Sequence, residues 1–264
     1  YLYISNHRDI ILDSALLCSK LLEQEMDTVE IAIGDNLLIL PWIEKLVRVN
    51  KSFIVQRGLS ARQILESSKR LSAYLRFVLN EKKSSIWIAQ REGRAKDSDD
   101  RTQESLLKMF NLGGKTNNVI ENLKELNICP LSISYEYDPC DFLKAKEFQQ
   151  KRDNPEFKKS QQDDLINMQT GVMGYKGKVV YHMAGCINDE LDKITAETTN
   201  RNEQIELAAR LIDFHIHRNY NITASNKIAY DEIYGDSDLA KKYTPAEKTQ
   251  SEEYLDKQIR KIDM

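Results

Sequence analysis

His7 closes the run Tyr3-Ile4-Ser5-Asn6-His7, and Arg8-Asp9 follows it, so a short apolar segment ends in a polar cluster. Asp13-Ser14-Ala15 then opens a helical pattern. A histidine at such a junction, with carboxylates two and six residues further on, has the parts of a general base and its orienting partner. Alone, it would more simply be a strand-end histidine engaged in local hydrogen bonds. Three further clusters shift the balance towards chemistry.

The second cluster is Ser52-Phe53-Ile54-Val55-Gln56-Arg57-Gly58. Arg57 ends a strand pattern, the place where α/β folds put ligand contacts, and its guanidinium is a rigid fork suited to phosphate oxygens. The third begins with Ile86-Trp87-Ile88-Ala89 and passes at once into Gln90-Arg91-Glu92-Gly93-Arg94-Ala95-Lys96. Gly93 permits a tight turn or close ligand approach. Arg91, Arg94 and Lys96 would make an anion site whose arginines Glu92 holds in position. A solvated charge run through Asp97, Asp99, Asp100 and Arg101 is the competing description, but it does not explain so abrupt a start behind a strand. The fourth cluster, Ile128-Cys129-Pro130-Leu131-Ser132-Ile133-Ser134-Tyr135-Glu136, reads as structural, with Pro130 suited to an edge or to a first strand position.

The elements that must position these groups follow from periodicity. Strands are expected at Tyr1–Ser5, Val29–Ile33, Ser52–Gln56, Ile86–Ala89, Ile128–Tyr135 and Lys178–His182. Helices are expected at Asp13–Glu25, Ser60–Glu81, Asn117–Leu126 and Arg201–His217, where apolar residues recur at three, four and seven. Strands alternating with helices of this length favour an α/β layered sheet. Other signatures fail. His7-Arg8-Asp9 echoes the kinase catalytic loop, but Ser14 stands where asparagine is needed. Gly113-Gly114-Lys115-Thr116 resembles the end of a phosphate loop, but Met109 replaces the first glycine. There is no Gly-x-Ser-x-Gly elbow.

In this order, the four clusters resemble the glycerolipid acyltransferase superfamily, which includes glycerol-phosphate and 1-acylglycerol-phosphate acyltransferases. That family carries an Asn/Ser-His with an aspartate after four intervening residues, then a strand ending in apolar-x-Arg. A Glu-Gly-x-Arg and a proline-bearing strand ending in Tyr-Glu or Tyr-Asp come next. Asn6-His7, Phe53 to Arg57, Glu92-Gly93-Arg94 and Pro130 to Glu136 match in turn, over about Tyr1 to Cys140, with Gly177-Lys178-Val179-Val180 a weaker echo. Two departures stand out. Leu12 occupies the aspartate position and Asp13 follows it, while Asp9 lies nearer to His7. Asp13 is preferred as the partner, because the apolar helix behind it matches the family pattern, and Asp9 is the alternative. Arg94 follows Gly93 directly, one position early.

The resemblance implies an α/β fold with a mixed, mostly parallel sheet flanked by helices, covering residues 1–230. It implies an O-acyltransferase of phospholipid biosynthesis, moving a fatty acyl group from acyl-CoA or acyl-carrier protein to a hydroxyl. The acceptor would be glycerol-phosphate-like or a lysophospholipid. His7 would be the base and Asp13 its partner; Arg57, Arg94 and Lys96 would bind the acceptor phosphate, with Glu92 and Gly93 in the same substrate-binding set. No metal or cofactor is implied beyond the thioester co-substrate. The alternatives are a non-catalytic lipid- or acyl-carrier-binding relative and a thioester hydrolase using the same base with water.

Composition sets the remaining bounds. With 41% apolar residues and a formal net charge of −3, the chain reads as a globular domain with no footprint for nucleic acid. Cys18, Cys129, Cys140 and Cys186 form no CxxC pair and suggest reduced thiols in a cytoplasmic setting. The longest apolar run, Leu37 to Ile43, is seven residues, far below the roughly 20 that a spanning helix needs. As a helix it would serve either as core or as an interfacial anchor at a membrane surface, through Trp42 with Lys45 and Arg48 beside it. An opening inside a strand, at Tyr1, suggests a segment of a longer chain, which leaves room for membrane anchors outside it; the resemblance implies a peripheral place on the cytoplasmic face of a membrane. Residues 231–264, rich in charge and carrying Tyr234, Tyr243 and Tyr254, should form an exposed helical extension packed through tyrosines, with disorder as the alternative.

Overall fold

The computed structural model describes residues 1–38, 40–235, 239 and 242–262. The strands are β1 (Leu2–Ser5), β2 (Glu30–Gly34), β3 (Ser52–Val55), β4 (Ile86–Ala89), β5 (Ile128–Tyr135) and β6 (Val179–Met183). The helices begin with α1 (Leu12–Glu23), α2 (Pro41–Val49), α3 (Ala61–Asn80), α4 (Glu104–Leu112) and α5 (Val119–Lys124). They continue with α6 (Asp141–Asp153), α7 (Gln161–Met173), α8 (Asn188–Glu197), α9 (Arg201–Arg218), α10 (Ala224–Tyr234) and α11 (Pro245–Ile262). The chain divides into two compact units, one of residues 1–7, 12–132 and 181–219, the other of residues 8–11, 133–180 and 220 onward.

The strands form one sheet in the order β3-β2-β4-β1-β5-β6. β1 pairs in parallel with β4 and β5, and β2 in parallel with β3 and β4. β6 runs the other way: Glu136 N–H bonds to the Lys178 carbonyl while Ala184 N–H bonds to that of Pro130, so one index rises as the other falls. The sheet is therefore mixed and mostly parallel. Parallel strands are covered on both faces, which is why β1 and β4 read as continuous apolar runs. Leu2, Ile4, Ile86 and Ile88 are buried there, with Leu17, Leu75, Leu107, Phe110, Ile212 and Ile216 from the helices around them.

Two local expectations are corrected. Pro130 lies in β5, inside the sheet between β1 and β6, not at an edge or a first position. In a strand the N–H and C=O of one residue point the same way, and the Pro130 carbonyl is met by Ala184, just past the end of β6. The missing donor therefore falls where β6 is already ending, and little pairing is lost. The apolar run Leu37 to Ile43 is not one helix: a 3-10 turn covers Asp35–Leu37 and α2 starts only at Pro41, whose missing N–H suits a first helical position. Ile39 in that run lies outside the described residues, as do 236–238, 240, 241, 263 and 264.

The glycine pair dismissed as a phosphate loop is a packing device. Gly113 N–H donates to Ser72 Oγ, and a Cβ on Gly114 would collide with the Asn122 amide. Buried Arg76 ties the same helices together, donating to Glu125, to the Phe110 and Asn122 carbonyls and to Ser72. Such a fully bonded buried cation costs on the order of 3–5 kcal/mol to break on one side. The cysteines are also less scattered than their numbering suggests. Cys129 and Cys186 interact, and burial, with Cys186 beside it, pushes the Cys129 thiol up to about 12.

In the second unit α6, α10 and α11 pack together. Tyr254 of α11 donates to the Asp138 carbonyl at 2.9 Å and its ring lies 4.3 Å from that of Tyr137. Asp141, in the first turn of α6, faces this contact. Burial pushes its carboxyl up to about 6, and the Asp138 carboxylate adds to the rise. A folded value above the unfolded one means that the native unit holds the proton more tightly, so ionisation costs stability. The cost is absent below about pH 4, grows between about 4 and 6 and is complete above 6. Amide exchange in α11 should therefore slow as the pH falls from 7 to 5, after correction for intrinsic rates, and Asp141→Asn should remove that dependence.

Candidate active site

Because β1, β2, β3 and β4 are parallel, their carboxyl ends share one edge of the sheet. The chain leaves the adjacent strands β1 and β4 in opposite directions, to β2 and to β5, an arrangement that opens a crevice at the carboxyl ends. His7 follows β1, Asp35 follows β2, Arg57 follows β3 and Arg91 follows β4. Four apolar strands, each ending in a polar group, thus deliver those groups to one edge.

His7 Nδ1 lies 2.8 Å from Asp13 Oδ2. Asp13 is fully buried in the first turn of α1, where the positive end of the helix favours a carboxylate. With Asp13 as a carboxylate, which only accepts, and the ring neutral, Nδ1–H is the donor and the lone pair falls on Nε2. The His7 side chain keeps 14% of its surface, so a substrate can reach the ring. Two contacts fix the pair. The Trp87 indole meets the imidazole edge-on, with centroids 5.9 Å apart, and its Nε1–H donates to Ser5 Oγ at 3.0 Å. Tyr181 donates to the Asp13 carbonyl at 2.9 Å, holding the start of α1. Asp9, the alternative partner, belongs to the second unit, where its Oδ1 accepts from Ile11 N–H at 2.9 Å and its other oxygen lies against Gly171.

Arg57 reaches Glu92 at 3.3 Å. Its backbone N–H donates to the Asp35 carboxylate, and its guanidinium lies across Gly34, where a Cβ would stand 2.7 Å from Nε. The pair is open to solvent, at 35% and 65% of side-chain surface, so it holds geometry more than it stabilises the fold. An incoming anion can take the guanidinium from Glu92.

The loop after β4 is held at both ends. Gln90 N–H bonds to the Ser5 carbonyl, Gln103 N–H bonds to the Gln90 carbonyl, and Gln103 Oε1 accepts from Glu92 N–H at 2.7 Å. Gly93 takes φ +70° with open space around it, a backbone state that favours glycine. Arg94 and Lys96 are half-buried on this loop, on either side of buried Ala95. From α9, Asp213 accepts twice from Thr102 and His217 Nε2 meets the Asp100 carbonyl at 2.7 Å. Burial raises the Asp213 carboxyl above its ordinary value, and the two Thr102 bonds oppose that rise.

Sequence reasoning missed Asp35, Trp87, Tyr181, Gln103, Asp213 and His217. Asp35-Asn36 stands directly after an apolar strand, the signal that marked Arg57, and could have been found. Asp213 and His217 sit within a helical pattern that gives no sign of their distant partners. Chemically, the edge offers a partly exposed imidazole able to accept a proton and a set of cations able to hold an anion.

Gly34→Ala tests how Arg57 is seated. The new methyl group would meet Asn36 Oδ1 at 2.5 Å as well as Arg57 Nε at 2.7 Å. It should therefore displace both side chains and weaken binding of inorganic phosphate several-fold by calorimetry, whereas Asn36→Ala, which leaves Gly34 open, should weaken it less.

Among known families, one described as Acyltransferase matches residues 1–134, which include His7, Asp13, Arg57 and the Glu92 loop. No curated protein matches the chain.

Proposed function

The chain belongs to the acyltransferase family, and from that premise we propose that His7 is the general base in transfer of a fatty acyl group from a thioester to a phosphate-bearing acceptor. The thioester is acyl-CoA or acyl-carrier protein. The acceptor is a glycerol-phosphate or a lysophospholipid, and the setting is phospholipid biosynthesis at the cytoplasmic face of a membrane. One observation supports the reading above the others: the 2.8 Å contact of His7 Nδ1 with buried Asp13, which leaves Nε2 as the proton acceptor.

In this mechanism Nε2 takes the acceptor hydroxyl proton as the oxygen attacks the thioester carbonyl. The tetrahedral intermediate collapses, the carbon–sulfur bond breaks, and the thiolate leaves with the proton returned from the imidazolium. Asp13 keeps the ring in the required tautomer and stabilises its positive form, as in a serine triad but without a protein nucleophile. Arg57, Arg94 and Lys96 hold the acceptor phosphate, and Glu92 keeps Arg57 in place until phosphate arrives. The protons and electron pairs balance without a metal or redox cofactor.

The test follows both products, free thiol and acylated acceptor, over a panel of phosphorylated and unphosphorylated acceptors. The proposal expects acyl product, preferentially with phosphorylated acceptors. His7→Ala should lose on the order of 10²-fold or more while the fold survives. Arg57→Lys keeps the charge but loses the fork, and should raise the KM for acceptor with the donor constant little changed. Thiol release without acylated product would make the chain a hydrolase, and a raised donor KM in Arg57→Lys would assign the arginine to the donor.

A further inference from the structure

Two of the four cysteines meet at the opposite end of the strands from His7. Cys129 is the second residue of β5 and pairs with Tyr3, near the amino ends of the parallel strands, whereas His7 follows the carboxyl end of β1. Past β6 the chain still runs antiparallel to β5. Ala184 N–H donates to the Pro130 carbonyl at 2.9 Å, and Ile187 N–H donates to the Ile128 carbonyl at 3.0 Å. Three steps on one side therefore answer two on the other, so Gly185 and Cys186 together face Cys129, as in a β-bulge. Facing Cα atoms of antiparallel segments stand about 4.5–5.5 Å apart, within the roughly 4.4–6.8 Å that a disulfide spans. The two thiols are close enough to share a hydrogen bond.

Their environments differ. Cys129 keeps 4% of its surface, and burial holds its sulfur as an unreactive thiol. A small buried apolar residue is the ordinary account of Cys129 alone. Cys186 is exposed, so packing does not account for it. Nothing stands within 4 Å of where a Gly185 side chain would begin, which leaves the bulge room to shift. We propose that Cys129 and Cys186 form a reversible disulfide, made by exchange with a low-molecular-weight disulfide such as oxidised glutathione. The exposed Cys186 thiolate attacks one sulfur of the oxidant, whose S–S bond breaks, and one thiol leaves with the proton that Cys186 gave up. Cys129, losing its own proton, then attacks Cys186 Sγ and expels the second thiol, which takes up that proton. Both protein thiols are oxidised, and the small disulfide is reduced to two thiols. The link would tie β5 to the start of α8 and close the chain between residues 129 and 186, restricting the unfolded state. Neither cysteine has a part in the proposed acyl transfer, so the inference holds whether or not His7 is a base.

The test incubates the purified chain, dilute, with oxidised glutathione, alkylates the remaining free thiols and digests it without reduction, using trypsin and a glutamate-specific protease. Glu136 lies between Cys129 and Cys140, so mass spectrometry tells those two apart. The expected product is one peptide pair joining Cys129 to Cys186, released by dithiothreitol. The oxidised chain should melt on the order of 5 °C above the reduced one, a difference that Cys186→Ser abolishes. Cys129→Ser should leave Cys186 as a mixed disulfide with glutathione; if that buried substitution unfolds the chain, Cys186→Ser still decides. Glutathione retained on Cys186 of the unaltered chain, with Cys129 free, would overturn the proposal. So would two thiols that both stay free, a link to Cys18 or Cys140, or a link between two chains.

Discussion

A carboxylate without exposed surface lies 2.8 Å from an imidazole that is still reached by solvent, and much of the surrounding structure keeps that distance. Burying Asp13 carries a penalty on the order of several kcal/mol, offset only while good partners face it. The Nδ1–H of His7 is one, and the amino end of α1 is another. Tyr181 fixes the start of that helix, and Trp87, itself held by Ser5, limits rotation of the ring. Residues far apart in sequence thus converge on one hydrogen bond. The parallel pairing of β1 with β4 brings them together, because it sets Tyr3 beside Trp87 and Ser5 beside Ala89.

The Arg57 side of the edge is built on the opposite principle. There the charges are exposed and weakly paired, Arg57 with Glu92 across 3.3 Å, and the precision lies in the backbone. Asp35 fixes the Arg57 N–H, Gly34 leaves room for the guanidinium, and Gln103 with Asp213 and His217 closes the loop after β4. In the proposed reaction this division is useful. The base must stay in one tautomer, while the phosphate-binding groups must exchange a protein carboxylate for a substrate oxygen. A strong buried pair at Arg57 would resist that exchange.

Most of the sheet was legible because its strands are short apolar runs that end in polar clusters. The expected runs at Ser52, Ile86 and Ile128 begin where strands begin. Strand order was not legible, since pairing β1 between β4 and β5 depends on long-range packing that no local pattern encodes. Pro130 misled for the same reason: its tolerance inside the sheet depends on where β6 ends. The placement of His7, Arg57 and the Glu92 loop just after strand ends could be read from the sequence pattern. The residues that hold them could not, apart from Asp35, because helix α9 and strand β6 carry Asp213, His217 and Tyr181 as ordinary members of their patterns. Trp42 was ambiguous in sequence between a core helix and an interfacial one, and its exposure removes the core reading for that stripe.

The central claim concerns one proton. In histidine labelled with nitrogen-15, the His7 ring near neutral pH should show a protonated Nδ1 and an unprotonated Nε2, with the Nδ1 proton shifted far downfield by its bond to Asp13. Asp13→Asn, which can donate to Nδ1, should shift the population towards the Nε2–H tautomer. A wild-type ring protonated at Nε2, or a tautomer unchanged in Asp13→Asn, would contradict the account.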